Sequence, residues 1–480
     1  MDRWEIEARV GEGMILFPDQ LEIVEAVRDK WKQGCKSLLL QSPTGSGKTA
    51  MATHIIRSAV AKGKRVGFTA PRRELLKQTS ETFSSLGIMH GFIAAGYAHN
   101  PYSRVYLGMV DTMARRLDKL PDLDLLIVDE THYGEGSLGA VIEEYRKRGA
   151  WILGLSATPW KLSGKGLGVW YADMVQGRSI RWLIENKRLS DYRFFRGKTK
   201  PDFSKIKVTA GDYAKGEIAD FMEQQGVIIG DCVRDYQQRA MHRLHVVRCA
   251  SVKHSQMTAE SFNAAGIIAR HVDGTTPDDE MRRIIRGYAR REINVLTFCD
   301  LLNFGFDLSQ ASGMDVCIES GSDLKPSKSL AGQLQYWGRM LRMKEYPALI
   351  MDHVNNYIEH GLPCDEREWS LDDRSQWKKS SERAMPTRQC PNCFAVHAPA
   401  PVCPECGHVY TVKPRQVDTV DGEMEEITSA DIPPRQQQGM AGDLESLIKL
   451  GRNRGYASPE VWAAKIISAR MIKARKNAKA

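Results

Sequence analysis

Three clusters of residues in this 480-residue chain have the types and spacing that chemistry requires. The first is Ser42-Pro43-Thr44-Gly45-Ser46-Gly47-Lys48-Thr49. Glycines placed in this way let successive backbone N–H groups curl around phosphate oxygens, the lysine reaches the β- and γ-phosphates, and the hydroxyl after it is placed for Mg²⁺. Thr44, Gly45, Ser46, Gly47, Lys48 and Thr49 are therefore the expected binding residues for ATP or GTP. The strict pattern has glycine where Ser42 stands, so the match is to a variant. The second cluster is Asp129-Glu130, which ends the apolar run Leu125–Val128. A carboxylate pair at the end of a buried strand supplies the other half of an NTPase: Asp129 to hold Mg²⁺, Glu130 to orient and deprotonate the attacking water. The third is Cys390-Pro391-Asn392-Cys393 and, nine residues on, Cys403-Pro404-Glu405-Cys406. Four thiolates satisfy tetrahedral Zn²⁺, and a loop too short for its own core can be folded by the metal.

The other six of the ten cysteines are scattered singly, which argues against a disulfide framework. Two knuckles at ribbon spacing point to metal in preference to redox chemistry, and with four thiolates present His397 and His408 are bystanders. Whether such a ribbon only staples the fold or also touches nucleic acid is left open by the spacing.

These clusters need a scaffold. From Ser37 to about Trp160, short apolar runs alternate with Gly/Pro/Ser turns and helical periods. Ser37–Gln41, Arg65–Thr69, Val105–Met109, Leu125–Val128 and Ile152–Leu155 read as buried strands, with helices over Thr49–Ala61 and Arg72–Ser85. The alternation predicts a parallel, doubly wound α/β sheet. It pauses from about Asp191 to Arg239 and resumes with His245–Cys249, Ile267–His271, Val295–Phe298, Val316–Glu319 and Ala348–Asp352. After Trp369 the chain turns polar; the ribbon follows, then Gln416–Gly439, an acidic linker that cannot bury a core. Helical periods return in Leu444–Leu450 and Val461–Ile472, where Trp462 reads as core for a small helical module.

Asp129-Glu130-Thr131-His132 resembles the signature of the DEAD/DEAH-box helicases of superfamily 2, with Thr131 in place of the usual Ala. Further blocks match in order from about Phe17 to Trp369, and the organisation resembles prokaryotic and phage helicases of the branch that also includes restriction-enzyme motor subunits and Rad25-like proteins. The resemblance implies two tandem RecA-like α/β domains with ATP and Mg²⁺ between them. It assigns Ser156-Ala157-Thr158 to coupling hydrolysis with movement, and Pro71, Arg72, Arg73, Thr112 and Thr297 to the nucleic-acid backbone. Gln335, Arg339 and Arg342, in Gln-x-x-Gly-Arg-x-x-Arg, would join Lys48, Asp129 and Glu130 as catalytic residues. An arginine suits that post because it stays charged beside a transferring phosphoryl group. Gly305 and Asp307 would face the nucleotide, and Gln20 would read the adenine edge. Two departures are Leu16-Phe17-Pro18-Asp19-Gln20, where relatives have Leu-Arg-x-Tyr-Gln, and Asn303-Phe304, where they commonly have Thr-Glu.

The expected domains are thus 1–190, the first RecA-like domain; 191–235, a linker or start of the second; 236–370, the second RecA-like domain; 386–412, the Cys₄ zinc ribbon; 413–440, the acidic linker; and 441–480, a basic helical tail. Composition agrees with a globular protein, 42% hydrophobic and 26% charged, with no long apolar run and a polar start unlike a signal peptide. The expected location is the cytoplasm of a prokaryotic or phage-infected cell. A net charge of +9 leans toward a polyanionic partner. In the last forty residues, nine Lys/Arg stand against three Asp/Glu; this tail either tracks phosphates or is a solvated end. The function implied is an ATP-dependent translocase or helicase on nucleic acid, DNA before RNA, beside replication, repair or recombination proteins and away from membranes. An ATP-gated clamp that remodels a protein partner would need the same motifs. A zinc-ribbon binder with a dead ATPase would not need to keep Lys48, Asp129, Glu130, Arg339 and Arg342 together.

Overall fold

The computed structural model describes residues 15–98, 100–134, 136–161, 163–197, 201–209, 211–300, 308–373, 387–410 and 444–477. The chain up to Tyr410 forms one compact unit and the chain beyond it a second.

In the first domain α1 (Pro18–Lys32) leads into β1 (Ser37–Gln41), α2 (Lys48–Ala61), β2 (Val66–Ala70), α3 (Arg73–Ser85), β3 (Gly91–Ile93), β4 (Val105–Met109) and α4 (Val110–Ala114). Then come β5 (Leu125–Val128), α5 (Gly136–Lys147), β6 (Trp151–Ser156) and β7 (Asp173–Gln176). The seven strands pair in parallel in the order β3-β4-β2-β5-β6-β1-β7. Leu38, Leu39 and Leu40 are fully buried, as a strand covered by helices on both faces requires. Because the strands run parallel, the loops after β1, β5 and β6 lie on one edge of the sheet, so the phosphate loop, the carboxylate pair and Ser156-Ala157-Thr158 are brought together by topology.

The second domain runs through α6 (Ile180–Glu185), β8 (Tyr192–Arg196), β9 (Val208–Thr209), β10 (Asp212–Tyr213), α7 (Lys215–Glu223), α8 (Gly226–Arg239), β11 (His245–Arg248) and α9 (Val252–Ala264). It continues with β12 (Ala269–Val272), α10 (Asp278–Ala289), β13 (Val295–Phe298), α11 (Leu308–Ser312), β14 (Ser320–Asp323), α12 (Leu330–Met340), β15 (Ala348–Asp352) and α13 (Asn356–His360). Its sheet is parallel in the order β12-β13-β11-β14-β15-β8. The chain is thus an α/β protein with two parallel sheets. Strand β8 lies inside the stretch where the sequence pattern pauses: an edge strand with Arg193 and Arg196 carries no clean apolar run.

The expectation of a strand at Val316–Glu319 is corrected to β14, Ser320–Asp323. This strand is buried but polar, because it lines a hydrogen-bonded core. His245 bonds Ser320 Oγ at 2.9 Å and Ser322 Oγ at 3.1 Å, and Arg248 meets Asp323 in a fork of 2.9 and 2.6 Å. A Cβ on Gly321 would come within 2.3 Å of Met340 Sδ, so glycine lets α12 close on the sheet.

Burial holds His245 at a pKa of about 3 and His254 at about 4. An imidazole kept neutral in the fold takes its proton only on unfolding. Its contribution is therefore intact above its ordinary value near 6.5 and drains away as the pH falls toward 4. Melting temperature is expected to drop between about pH 7 and about pH 5, and His245→Gln, which can still bond both serines, to flatten that fall. A melting temperature independent of pH over this range, followed by differential scanning fluorimetry, would contradict the buried neutral imidazoles.

Beyond α13 the chain returns to the first domain. Leu371 packs into that domain's core beside Trp170 and Tyr171. Gly168 N donates to Leu371 O at 3.0 Å, Trp160 Nε1 to Asp372 O at 2.8 Å and Gly166 N to Asp373 Oδ1 at 2.8 Å. The two domains are therefore joined twice, by the crossing between β7 and α6 and by this strap.

The ribbon is a hairpin, β16 (Arg388–Gln389) and β17 (Val396–His397), followed by the second knuckle. Ala395 bridges Phe195 of β8, Arg193 pairs with Glu405, and Arg196 donates to Gln389 Oε1. It thus covers the open edge of the second sheet. Among the described residues no helix is long and apolar enough to cross a membrane.

The C-terminal unit is a helical pair, α14 (Leu444–Asn453) and α15 (Pro459–Asn477). Gly451 admits Pro459 and Trp462, whose atoms would lie 3.0 and 3.1 Å from a Cβ there, and Tyr456 meets Trp462 edge-on. Trp462 is packing within this pair, as the sequence suggests. Gly305 and Asp307, residue 386 and the whole acidic linker at 413–440 lie outside the described residues.

Candidate functional site

Between β1 and α2 the phosphate loop turns at Gly45 and Gly47, with φ of +85° and +86°. The space around it admits no side chain. A Cβ on Gly47 would lie 2.3 Å from Gln20 Nε2, and one on Gly45 2.9 Å from Leu189 Cδ2. Gln20 braces the loop: its Nε2 donates to Ser46 O at 3.0 Å, and its Oε1 accepts from Phe17 N at 3.1 Å. The variant residue Ser42 is fully buried, with its hydroxyl 2.7 Å from that of Ser46. Lys48 Nζ donates to Ser42 O at 3.0 Å and Pro43 O at 3.2 Å. Burial lowers its pKa, against the opposing pull of Glu130 and Asp129, and Arg339 lowers it further. The amine is poised where additional negative charge is favourable. Thr49, the second residue of α2, is exposed.

Burial, and then the nearby Glu130, raise the Asp129 carboxyl well above its ordinary range. A cation at this point would reverse that. Thr49 and Asp129 are the side chains that would hold Mg²⁺, and the glycine cradle fits a triphosphate; the ion's chemistry there is to neutralise phosphate charge. Glu130 occupies the left-handed region at φ +47°, a sharp turn in which its N–H donates to Asp129 Oδ1 at 3.0 Å. The substituted Thr131 is buried, its hydroxyl 2.7 Å from Tyr171 OH.

A chain of hydrogen bonds crosses from α12 to the end of β6. Gln335 Nε2 donates to Glu130 Oε2 at 3.1 Å and approaches His132 Nε2 at 3.2 Å. His132 Nδ1 is 2.9 Å from Ser156 Oγ, which donates to Thr158 O at 2.6 Å. Tyr133 OH donates to Gln335 Oε1. Burial holds His132 at a pKa of about 4, so it is neutral and carries its proton on Nδ1. This orientation of the Gln335 amide is the only one that does not turn its oxygen on the Glu130 carboxylate. Ala157 O accepts from Gln41 Nε2 at 2.8 Å, tying the same turn to the strand below the phosphate loop.

Helix α12 comes close because residue 338 is glycine: a Cβ there would be 2.6 Å from Thr44 Cβ. Arg339 is buried, near enough to Lys48 and Tyr133 for its charge to act on both. Arg342 lies farther along; its backbone bridges Leu189, and its charge acts on Cys317. Arg188–Ser190 touches the start of α1, the phosphate loop and the end of α12. Arg188 grips Asp19 Oδ1 at 3.3 and 3.2 Å and stands 3.5 Å above the Phe17 ring. Leu189 meets Gly45, and Ser190 N donates to Leu341 O at 2.9 Å.

The residues expected to face a polymer divide. Arg72 and Arg73 are exposed at the start of α3 beside the half-buried Pro71, and Thr112 is buried in α4. Thr297 is fully buried in β13, an interior strand, donating to Ser255 O at 2.8 Å and accepting from Ser255 Oγ at 2.9 Å, so its hydroxyl is engaged inside the sheet. Sequence reasoning missed Tyr133, Gln41 and Arg188. Tyr133 follows the carboxylate motif directly, but nothing in its spacing marks it out.

The four ribbon thiols lie within 4.8 Å of one another. Cys390 and Cys406 are 3.6 Å apart and Cys393 and Cys403 3.7 Å. Sulfur atoms on a tetrahedron with Zn–S bonds of ~2.3 Å stand about 3.8 Å apart, so the donor set fits zinc. His397 Nε2 is 2.7 Å from Tyr410 OH and is no part of the cluster.

Comparison with known proteins places this geometry in context. Residues 13–161 match the family described as "Type III restriction enzyme, res subunit". The chain is 33% identical over 378 residues to the 51.5 kDa protein of a Lactococcus phage, 78% of each chain being covered. It is 25% identical over 364 residues to IRC3 of Saccharomyces cerevisiae, by its name an ATP-dependent helicase; these cover 72% of this chain and 52% of IRC3, about half its length. Among solved structures, a fragment described as an HsdR subunit of a type I restriction enzyme from Vibrio vulnificus shares the fold, with TM-score 0.57 and 17% identity, over 75% of this chain and 68% of that one.

Proposed function

Since this chain belongs to the superfamily 2 helicases, in one family with the lactococcal phage protein, we propose that it is an ATP-driven translocase on nucleic acid, with DNA as its track. The observation that carries this reading is the contact across the domains: Gln335 of α12 bonds both Glu130 and His132, while Gly338 rests on the phosphate loop. A site built from both domains changes shape when its ligand changes, and that is how hydrolysis becomes movement.

In the cycle, the Lys48 amine leaves the carbonyls of Ser42 and Pro43 for the β- and γ-phosphates. Glu130 takes a proton from the attacking water, held at the correct angle by Gln335. Arg339 meets the charge that develops on the phosphoryl group, with Arg342 arriving as the cleft tightens. Loss of the γ-phosphate weakens the hold on α12, and Ser156-Ala157-Thr158 follows through His132. Arg72 and Arg73 grip phosphates, so their contacts are indifferent to base sequence. The ribbon and the basic helical pair add further grip on the polymer.

The deciding experiment is steady-state ATPase activity without nucleic acid and with single-stranded DNA, duplex DNA and RNA, each at two salt concentrations. Stimulation by DNA, at least several-fold and weakened by salt, is expected. Stimulation by RNA alone would reassign the track. Equal rates in every tube would remove the translocase and leave a nucleotide-gated clamp.

A further inference from the structure

We propose that Tyr133 is a positioning residue for hydrolysis: its hydroxyl fixes the Gln335 amide, and through that amide the Glu130 carboxylate, in register with the polymer-facing side of the cleft. The inference deepens the translocase reading and rests on it.

Three observations carry it. Gln335 has a single carboxamide, and every one of its polar atoms is spoken for. Its nitrogen serves Glu130 and His132, and its oxygen takes the hydrogen of Tyr133. Without that third bond the amide is held through its nitrogen alone, and its oxygen loses the partner that fixes the tilt at which the nitrogen meets Glu130 and His132. Next, charges from both domains act on the Tyr133 phenol: those of Glu130 and Arg72 in the first, and those of Arg339 and of Asp300 after β13 in the second. A phosphate drawn to Arg72 therefore alters the field at the same phenol that holds Gln335. Finally, the residue is built in: the Tyr133 ring packs 4.1 Å from the His132 ring, centroid to centroid, and the short helical turn Thr131–Tyr133 follows directly from the left-handed Glu130.

The hydroxyl acts on the orientation of Gln335 and not on ATP itself, so kcat should suffer while KM does not. Tyr133→Phe keeps the ring and its packing. It is expected to lower the polymer-stimulated kcat about tenfold while KM for ATP and the half-stimulating DNA concentration move less than twofold. The Phe change made in a Gln335→Ala background should cost less than twofold more, because the group it positions is gone; independent roles would instead multiply. A stimulated kcat like that of the unaltered protein, a parallel loss of kcat, ATP affinity and melting temperature, or multiplicative losses in the double variant would each overturn the proposal. If no polymer stimulates the unaltered protein, the translocase reading falls. The tyrosine is then judged on unstimulated kcat, where the same tenfold loss would sustain it and an unchanged rate would sink it.

Discussion

Lys48→Ala is expected to abolish ATP hydrolysis, with a loss of at least roughly a hundred- to a thousand-fold, the scale on which single preorganised charge-stabilising groups act. The argument is local. The Lys48 amine is held by two carbonyls, Ser42 O and Pro43 O, which are poor partners for a cation compared with phosphate oxygens. Burial already lowers its pKa, so it gains more from a triphosphate than an exposed lysine would. Alanine at the first position of α2 is a good helix residue, and the loop's own turns at Gly45 and Gly47 do not depend on the amine. The variant should therefore fold, and a melting temperature near that of the parent would confirm it. An unchanged ATPase rate in a folded variant would remove the phosphate site from this loop.

How much of this was legible in the sequence follows from how local each signal is. The phosphate loop declares itself because its glycines, lysine and hydroxyl are contiguous, and strands β1, β4, β5, β13 and β15 because they are apolar runs ending at turns. The Cys₄ spacing is equally local. Strand β14 was displaced by four residues because Ser-Gly-Ser-Asp is polar by composition and buried only by virtue of His245, Arg248 and α12, all remote in sequence. Thr297 fits a family motif, yet the strand that carries it is central, and only the sheet order reveals that its hydroxyl points inward. The strap was invisible for a related reason. Leu371 is one apolar residue in a polar stretch, with no periodicity to mark it, and the partners of Leu371, Asp372 and Asp373, namely Gly168, Trp160 and Gly166, lie some two hundred positions earlier. Tyr133 shows the limit most sharply: its significance depends on Gln335, and no property of the residue itself predicts that bond.

The strap and the ribbon also explain one another. The strap fastens the chain after α13 to the first domain, and the ribbon then resumes against the far edge of the second sheet, on β8. Each closes something that would otherwise be exposed: the strap covers Trp170 and Tyr171, the ribbon covers an unpaired strand edge.

Zinc removal should consequently reach beyond the ribbon. Purified protein is expected to hold close to one zinc per chain by elemental analysis. The described ribbon, 387–410, has almost no core of its own, only Cys390, Cys403 and Tyr410 with Cys393 against them, and just Ala395 and Val396 reach the core of the second domain, so without metal the two knuckles have little to fold around. Cys403→Ser, or exposure to a strong chelator, should unfold it. The Phe195–Ala395 bridge and the Arg193–Glu405 pair then go, leaving β8 with one bare edge beside Arg193 and Arg196. Melting temperature should fall by several degrees and aggregation rise, since an uncovered strand edge is a template for pairing with another chain. The phosphate site lies in the other domain, so ATP binding, followed with a fluorescent analogue below the new melting temperature, should change less than twofold. Protein isolated without oxidation or chelation that contains no zinc would overturn the metal assignment. A zinc-free form that melts at the parent temperature would show instead that β8 does not need its cover.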